Sequence, residues 1–327
     1  MVKMEQLLNC IKSEHVYIQT HNFPDPDAIA SAYGMKILLK QYGIDTTICY
    51  KGKIDRYSMM HLIEYLDTEI VNMEDILYMQ GNDEIILVDS QKGNANIVDL
   101  VGDEIICIDH HPTYEKVEYR FCDIRPGVGA CSSIVAEYFG ETGKEIDKKT
   151  ATALLYGIKV DTANLSRGVS KLDLDMFYQL YWIANHDILN KLGRSEIQFG
   201  DLEAYANAIQ SIKVFDTISI AHTGKNCPEP LIASISDFML ALSEIDCSIV
   251  YSTREDGIKL SVRSCDSKID SGILTNTALK GIGSGGGHQT MAGGFVPYPK
   301  DMENMDLFIH SIEERFMEEL ARIDSVF

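Results

Sequence analysis

Basic residues are scarce in this 327-residue sequence, in which 29 Lys and Arg face 49 Asp and Glu, for a formal net charge of −20. A protein that binds nucleic acid through a broad basic face neutralises many phosphates with many Lys and Arg side chains. The charge therefore argues against long duplex DNA as a partner. It leaves room for a small anionic substrate, because a divalent metal pair and a few arginines can supply positive charge locally.

Long apolar runs and paired cysteine motifs are also missing. No uninterrupted apolar stretch reaches the roughly 18 residues that a membrane span needs, and Met1–Cys10 has the pattern of an amphipathic helix rather than that of a signal peptide. The eight cysteines form no Cys-x-x-Cys pair, and most lie in apolar segments, as free buried thiols do. We therefore expect a cytoplasmic protein without a membrane partner.

Two familiar catalytic or cofactor motifs are absent or out of context. The sequence has no Gly-x-Ser-x-Gly elbow, and Cys107 and Cys131 have the surroundings of packing residues. The stretch beginning at Gly281 matches the dinucleotide fingerprint, but a helical pattern precedes it where a strand is required. Neither a serine or cysteine nucleophile nor a nicotinamide site is therefore predicted.

The first half of the chain alternates short apolar runs with helical patterns, which is typical of a parallel sheet. The apolar runs are Val16–Thr20, Thr46–Tyr50, Glu84–Asp89 and Glu104–Asp109, and the intervening helical patterns are Ala28–Lys40, Tyr57–Leu66 and Asn94–Val101. This pattern predicts an α/β domain with a doubly wound, mostly parallel sheet and helices on both faces.

The last third of the chain has a different pattern. A hairpin is predicted from Cys247–Thr253 and Gly257–Arg263, which flank an Asp-Gly turn. Helical patterns follow at Ile269–Leu279 and Met302–Leu320. Because the chain length favours two domains, we expect a first domain at 1–190, a linker helix at 191–212, and a smaller α/β domain with a mixed sheet at 213–327.

Polar clusters follow three of the apolar runs in the first domain. In open α/β sheets the carboxyl ends of the strands share one edge, so these clusters should meet around one crevice. Carboxylates with an occasional imidazole suit hard divalent ions better than a structural zinc site. Capping of the helix at Ala28 remains an alternative role for the first two aspartates. The clusters are His21, Asp25 and Asp27; Asp89; and Asp109, His110 and His111; Asp161 follows a helical pattern further on.

The order His-x-x-x-Asp-x-Asp, Asp, Asp-His-His, Asp resembles the DHH phosphoesterase superfamily, which includes RecJ-type exonucleases, oligoribonucleases, exopolyphosphatases and family II pyrophosphatases. The resemblance implies two divalent ions, Mn²⁺ in first place and Mg²⁺ or Co²⁺ as alternatives. It also implies in-line attack on phosphorus by a hydroxide that bridges the ions. The implied ligands are His21 and Asp25 for one ion, Asp27, His110 and Asp161 for the other, and Asp89 as the bridge.

The same resemblance implies catalytic roles for the two remaining residues of the triplet cluster. His111 would contact the substrate phosphate or the attacking water, and Asp109 would orient a neighbouring histidine. Ser132, at the start of a helical pattern, is an additional candidate for binding phosphate, with an ordinary N-cap as its alternative role.

In the last third, Ser261-Val-Arg263-Ser and Gly285-Gly-Gly-His288 resemble the DHH-associated domain of oligoribonucleases. Glycines let backbone N–H groups approach an anion, and arginine can grip a phosphate bidentately. The substrate-binding residues implied by this resemblance are Arg263, Gly285, Gly286, Gly287 and His288.

The resemblance implies a hydrolase acting on short RNA, other short oligonucleotides or dinucleotides, with 3′-phosphoadenosine 5′-phosphate as a further candidate substrate. An exopolyphosphatase or pyrophosphatase and a nucleotide-binding sensor are the alternatives. After Asp89 the chain continues Ser-Gln-Lys-Gly-Asn, without the arginine that some oligoribonuclease relatives carry in this loop, so the substrate preference can differ. A homodimer is compatible with the family.

Overall fold

The structure, a computed structural model, describes residues 3–54, 57–94, 96–113, 116–194, 197–299 and 304–324. Internal contacts divide the chain into two compact units, Met1–Glu196 and Ile197–Phe327. Each unit has its own sheet and its own hydrophobic core. None of the helices described combines the length and apolar character that crossing a lipid bilayer requires.

The first unit is built on a six-stranded sheet whose strands are all parallel, in the order β3-β2-β1-β4-β5-β6. The central strand β4 reads Glu-Ile-Ile-Leu-Val and is buried along its whole length, as expected for β-branched residues covered on both faces. The predicted α/β class and parallel sheet are confirmed. The strands are β1 (His15–Gln19), β2 (Asp45–Tyr50), β3 (Ile70–Asn72), β4 (Glu84–Val88), β5 (Asp103–Asp109) and β6 (Phe121–Ile124).

Helices and one face of this sheet enclose the larger core of the first unit. Helix α2 packs against α4 and α5, and Gly34 permits this close approach, since a Cβ there would lie 2.8 Å from Val135 and 2.9 Å from Leu154. The α-helices are α1 (Lys3–Cys10), α2 (Pro26–Lys40), α3 (Tyr57–Leu66), α4 (Cys131–Thr142), α5 (Lys148–Asp161), α6 (Lys171–Tyr181) and α7 (His186–Arg194).

The helix predicted at Asn94–Val101 is wrong, because the described part of this segment is a loop. Its carbonyl groups accept hydrogen bonds from the end of β1 and the chain beyond it. Gln19 Nε2 donates to the Val98 oxygen at 2.7 Å, and Asn22 N donates to the Asn96 oxygen at 2.6 Å. The loop thereby covers the second face of the sheet, where Ile97 packs on a small apolar cluster of β4 and β5.

The second unit contains a mixed sheet in the order β11-β12-β10-β9-β8-β7, in which β8 and β9 are parallel and the other pairs are antiparallel. The predicted mixed sheet is confirmed, and β9 and β10 form the hairpin expected around the Asp-Gly turn. The strands are β7 (Lys213–Phe215), β8 (Ile218–Lys225), β9 (Cys247–Thr253), β10 (Gly257–Ser264), β11 (Ser284–Gly287) and β12 (Met291–Pro297).

Two pairs of helices cover the second sheet. Helices α8 and α9 share one core with the strands, and α10 and α11 share the other. Helix α8 lies in the stretch expected to be a linker, and it packs on β8, where Ala208 and Ala221 are both buried. The helices are α8 (Leu202–Ser211), α9 (Glu229–Leu240), α10 (Ser271–Leu279) and α11 (Met305–Asp324).

Candidate metal centre

The carboxyl ends of β1, β4 and β5, which are neighbours in the sheet, carry the polar residues picked out in the sequence. The loop after β1 leads into α2, Asp89 directly follows β4, and Asp109 ends β5. Asp161 is the last residue of α5, and it reaches the same place because α5 packs along α2. Strand order and helix packing thus bring distant parts of the chain to one site.

Six of these side chains form two adjoining groups of the kind that hold metal ions. The two oxygens of Asp89 face different imidazoles: Oδ2 lies 3.6 Å from His21 Nε2, and Oδ1 lies 3.3 Å from His110 Nε2. Asp89 therefore stands between the groups. The first group is His21, Asp25 and Asp89, and the second is Asp27, His110 and Asp161.

The imidazoles of both groups are oriented by backbone carbonyls. His21 Nδ1 donates to the Asn22 oxygen at 2.9 Å, and His110 Nδ1 donates to the Val128 oxygen at 3.1 Å. With Nδ1 occupied in this way, the Nε2 lone pair is directed at the carboxylates, which is how proteins present histidine to a metal.

Asp27 is fully buried and is held by the N-terminus of α4. Its Oδ2 accepts from Cys131 N at 2.7 Å, and its Oδ1 accepts from Ser132 N at 3.0 Å. Both oxygens retain a second lone pair for a cation. Gly157 on α5 leaves the necessary space, because a Cβ there would lie 2.8 Å from Asp27 Oδ1.

Ser132 is not placed to bind a phosphate, contrary to the prediction. The residue is fully buried, its amide is committed to Asp27, and its hydroxyl pairs with Ser31 Oγ at 3.2 Å. The helix N-terminus at α4 binds an anion, but that anion is the carboxylate of the protein itself.

A family model described as DHH family, N-terminal domain, matches residues 15–158. This range contains every residue of the two metal-binding groups except Asp161. This match identifies residues 15–158 as a DHH family N-terminal domain. The uncharacterized protein MJ1633 of Methanocaldococcus jannaschii is 33% identical over 287 residues, covering 88% of this chain. The chain spans only 59% of the length of that relative.

Two further similarities differ in extent. A probable manganese-dependent inorganic pyrophosphatase of Streptococcus pyogenes is 33% identical over 146 residues, which are 43% of this chain and 46% of that protein. The crystal structure of an exopolyphosphatase-related protein from Bacteroides fragilis superposes with a TM-score of 0.73 at 16% identity, covering 98% of this chain and 97% of the other. The whole-chain similarity to the latter is a similarity of fold.

In the DHH triplet, Asp109 is buried and makes three hydrogen bonds. Its Oδ1 accepts from His111 Nδ1 and from His110 N, both at 2.8 Å, and its Oδ2 accepts from Gln91 Nε2 at 2.7 Å. Burial raises the pKa of this carboxyl, but the hydrogen bonds from His111 and Gln91 outweigh burial and lower the pKa below its ordinary value. Asp109 is therefore a carboxylate that orients His111.

The carboxylates and imidazoles of the two groups lie so close together that they shift each other's pKa values. Burial and the neighbouring carboxylates of Asp89 and Asp161 raise the pKa of Asp27 well above its ordinary value. Burial lowers the pKa of His21, but the carboxylates of Asp25 and Asp89 outweigh burial and raise that pKa to about 10. Carboxylates and imidazoles thus compete for protons in a buried space.

Divalent cations fit this donor set. Asp89 Oδ1 and His110 Nε2 are buried yet make no hydrogen bond within the described residues, although they lie 3.3 Å apart. Buried polar atoms of this kind need a partner. Each group offers one imidazole nitrogen and carboxylate oxygens without a thiolate, which suits Mn²⁺ or Mg²⁺ better than structural Zn²⁺.

Asp25 combines two functions that the sequence presents as alternatives. It is the N-cap of α2, where its Oδ1 accepts from Ala28 N at 3.0 Å. The same oxygen lies 3.9 Å from His21 Nε2 within the first metal-binding group. Capping therefore positions the carboxylate for the site.

In the second unit, the candidate substrate residues lie on neighbouring strands. Arg263 pairs with Met291 across β10 and β12, and His288 N donates to the Met291 oxygen at 2.7 Å. The Arg263 guanidinium binds Asp237 on α9, with Nε 2.8 Å from Oδ1. Arg263 and exposed His288 therefore lie near the same end of this sheet.

The glycine run forms the edge strand β11. A Cβ at Gly285 would lie 2.6 Å from Thr275 on α10, and a Cβ at Gly287 would lie 2.6 Å from the backbone of Ala292, whereas one at Gly286 would enter open space. Close packing therefore accounts for two of the three glycines, whereas half-buried Gly286 has no such packing reason.

Two residues that position the site escaped sequence reasoning. Gln91 holds Asp109, as described above. Asp173 on α6 is fully buried and accepts from Gly129 N at 2.8 Å and Ser133 Oγ at 2.6 Å. It thereby fixes the turn that aims the α4 amides at Asp27. Gln91 lies two residues from Asp89, a proximity that could have suggested it, but Asp173 resembles an ordinary helix-start aspartate.

Proposed function

We propose that this protein is a two-metal-dependent phosphoesterase that hydrolyses short oligonucleotides or dinucleotides. The observation that carries the proposal is the position of Asp89, whose two oxygens face the imidazoles of two separate nitrogen and oxygen donor groups. A single metal site has no need of a carboxylate presented to both sides. The donor chemistry favours Mn²⁺.

Different residues are proposed to bind the metal ions and to contact the substrate. His21, Asp25, Asp27, Asp89, His110 and Asp161 are the proposed ligands. Bound divalent ions neutralise charge on phosphoryl oxygens and acidify an attacking water. His111 donates its Nδ1 proton to Asp109, which leaves Nε2 to meet a substrate phosphate or a water.

A nucleotide substrate is favoured by the second unit. Arg263 and His288 at one end of its sheet resemble the phosphate-binding end of a DHH-associated domain, and Gly286 on β11 has open space where a side chain would lie. Guanidinium, imidazole and backbone N–H groups together suit the terminal phosphate of a short nucleic acid.

Hydrolysis of pyrophosphate or a short polyphosphate is the second candidate function. It is supported by the similarity to the manganese-dependent inorganic pyrophosphatase, which covers 43% of this chain. The two candidates share the metal centre and differ in whether the substrate carries nucleosides.

The test is release of mononucleotide from di- to pentaribonucleotides, measured beside pyrophosphate and tripolyphosphate, with and without Mn²⁺. We expect Mn²⁺-dependent hydrolysis of the ribonucleotides. Asp89→Asn should reduce it by at least about 100-fold, since even residues behind metal ligands cost about 10- to 100-fold. Asp175→Asn, on the exposed face of α6, is the matched control and should retain activity. Turnover of pyrophosphate alone would favour the second candidate.

A further inference from the structure

Phe23 occupies the middle of the loop that carries His21 and Asp25, and its conformation is unusual for an aromatic residue. Its φ is +55°, in the left-handed region, which is unfavourable for most side chains and is entered more readily by asparagine or glycine. Its ring is 66% exposed to solvent. Neither backbone preference nor burial therefore explains a phenylalanine here.

The surrounding chain holds this residue in place. Phe23 N donates to the Lys51 oxygen at 2.7 Å, and the ring packs against Gly52, where a Cβ would lie 2.6 Å from it. Gly52 itself has a φ of +101°, and its carbonyl accepts from Asn72 Nδ2 at 2.9 Å. The ring is thus supported by backbone on one side and open to solvent elsewhere.

Phe23 lies close along the chain to two of the proposed metal ligands. Phe23 is two residues from His21 and two from Asp25, and two residues span at most about 7 Å of chain. A nucleobase is separated from its own phosphate by one sugar. A phosphate at the metal centre therefore leaves the attached base within reach of the ring.

The negative net charge of the protein favours substrate binding by base stacking over binding by a basic surface. At a net charge of −20, this chain lacks the broad basic surface by which many proteins bind nucleic acid. Stacking on an aromatic ring provides affinity that needs no positive charge and tolerates any base.

We infer that Phe23 is a base-stacking residue of the substrate site and that the substrate therefore carries a nucleobase next to the scissile phosphate. The inference rests on the proposed phosphoesterase function and deepens it. It assigns to this loop a second task besides metal binding, that of discriminating nucleotides from base-free phosphates.

The test uses Phe23→Asn, because asparagine removes the ring yet accepts the left-handed backbone, together with Phe23→Trp as the conservative variant. Tyr178→Ala removes a ring of equal exposure, 66%, from α6 and is the control. Substrates are a diadenylate, the same dinucleotide with both bases removed, and pyrophosphate.

We expect Phe23→Asn to raise KM for the diadenylate by roughly five- to 100-fold, the range for one lost stacking contact, with little change in kcat. Phe23→Trp should restore KM, and hydrolysis of the base-free substrates should be unaffected. An unchanged KM for the diadenylate, or an equal loss on base-free substrates, would overturn the inference.

A binding measurement separates this inference from the proposed function. A non-hydrolysable 2-aminopurine dinucleotide should lose fluorescence on binding the wild type in Mn²⁺, and Phe23→Asn should abolish the quenching. If the wild type hydrolyses dinucleotides but quenching does not depend on Phe23, the stacking role alone fails. If the wild type neither hydrolyses nor binds them, both proposals fail.

Discussion

Gln91 is a buried polar residue that holds Asp109 and the backbone of His111 in place. Its Nε2 donates to Asp109 Oδ2 at 2.7 Å and to the His111 oxygen at 2.9 Å, and the side chain is buried. Gln91→Ala leaves a buried carboxylate oxygen without its donor, which costs about 1–3 kcal/mol of stability. We expect kcat to fall about tenfold, in the range for losing a partner of a metal-site residue.

Mn²⁺ affinity distinguishes a role in positioning His111 from a general structural role. Gln91→Ala should leave that affinity unchanged, as measured by isothermal titration calorimetry, because the Gln91 side chain donates to Asp109 and His111, neither of which is a proposed ligand. Gln91→Glu is the matched variant of equal shape, and it should lose more activity because a second carboxylate then faces Asp109. Loss of Mn²⁺ affinity in Gln91→Ala would show that the residue supports the metal-binding loops instead.

The proposed metal ligands could be read from the sequence, whereas the residues behind them could not. His21, Asp89 and His110 are chemically conspicuous where they follow apolar strands, and the structure brings them together. Asp173 has no such mark, because its contacts with Gly129 before α4 and Ser133 within α4 depend on how α6 packs. Ser132 was a candidate for binding phosphate, but it is buried and its amide donates to the carboxylate of Asp27.

The position of Asp27 in the metal centre depends on close packing of α4 and α5 at Gly157. A Cβ at Gly157 on α5 would press on Ser132 Oγ and lie 2.8 Å from Asp27 Oδ1. We expect Gly157→Ala to cost about 1–3 kcal/mol from overpacking and to weaken Mn²⁺ binding about 10- to 100-fold by displacing Asp27. Guanidinium unfolding and calorimetric Mn²⁺ titration measure the two effects.

Gly140 on α4 offers the same substitution without the contact. A Cβ there meets nothing within 4 Å, so Gly140→Ala should raise stability by about 0.5–1 kcal/mol, the ordinary gain for alanine over glycine in a helix. Mn²⁺ affinity should not change. If both variants behave alike, helix propensity and not the α4–α5 contact determines the outcome.

Elements with a strong local pattern were predictable, and those shaped by their neighbours were not. The Asp-Gly hairpin of β9 and β10 appears where alternating residues and turn chemistry agree. Asn94–Val101 has a helical pattern, but its carbonyls are drawn to Gln19 and Asn22 and the segment stays a loop. The glycine run at Gly285 becomes a strand because α10 packs closely on it, a contact between segments that no local pattern encodes.

The two units have separate cores, so metal binding should stabilise them unequally. The proposed ligands all lie in the unit Met1–Glu196. A ligand that binds only the folded state adds about 2.7 kcal/mol at 100 times its Kd. For a unit of this size each kcal/mol shifts Tm by roughly 2–4 °C, so saturating Mn²⁺ should raise one unfolding transition by about 5–11 °C and leave the other in place.

Scanning calorimetry in EDTA and in Mn²⁺ checks this expectation, with Asp89→Asn as the control that should lose the shift. If there are two transitions and Mn²⁺ shifts only one, the stabilisation by the metal is confined to the unit that binds it. A single transition that moves as a whole would instead mean that the units unfold cooperatively. The stability of the unit that contains Arg263 and His288 would then depend on metal binding. Variants of these two residues would have to be interpreted together with variants of the metal centre.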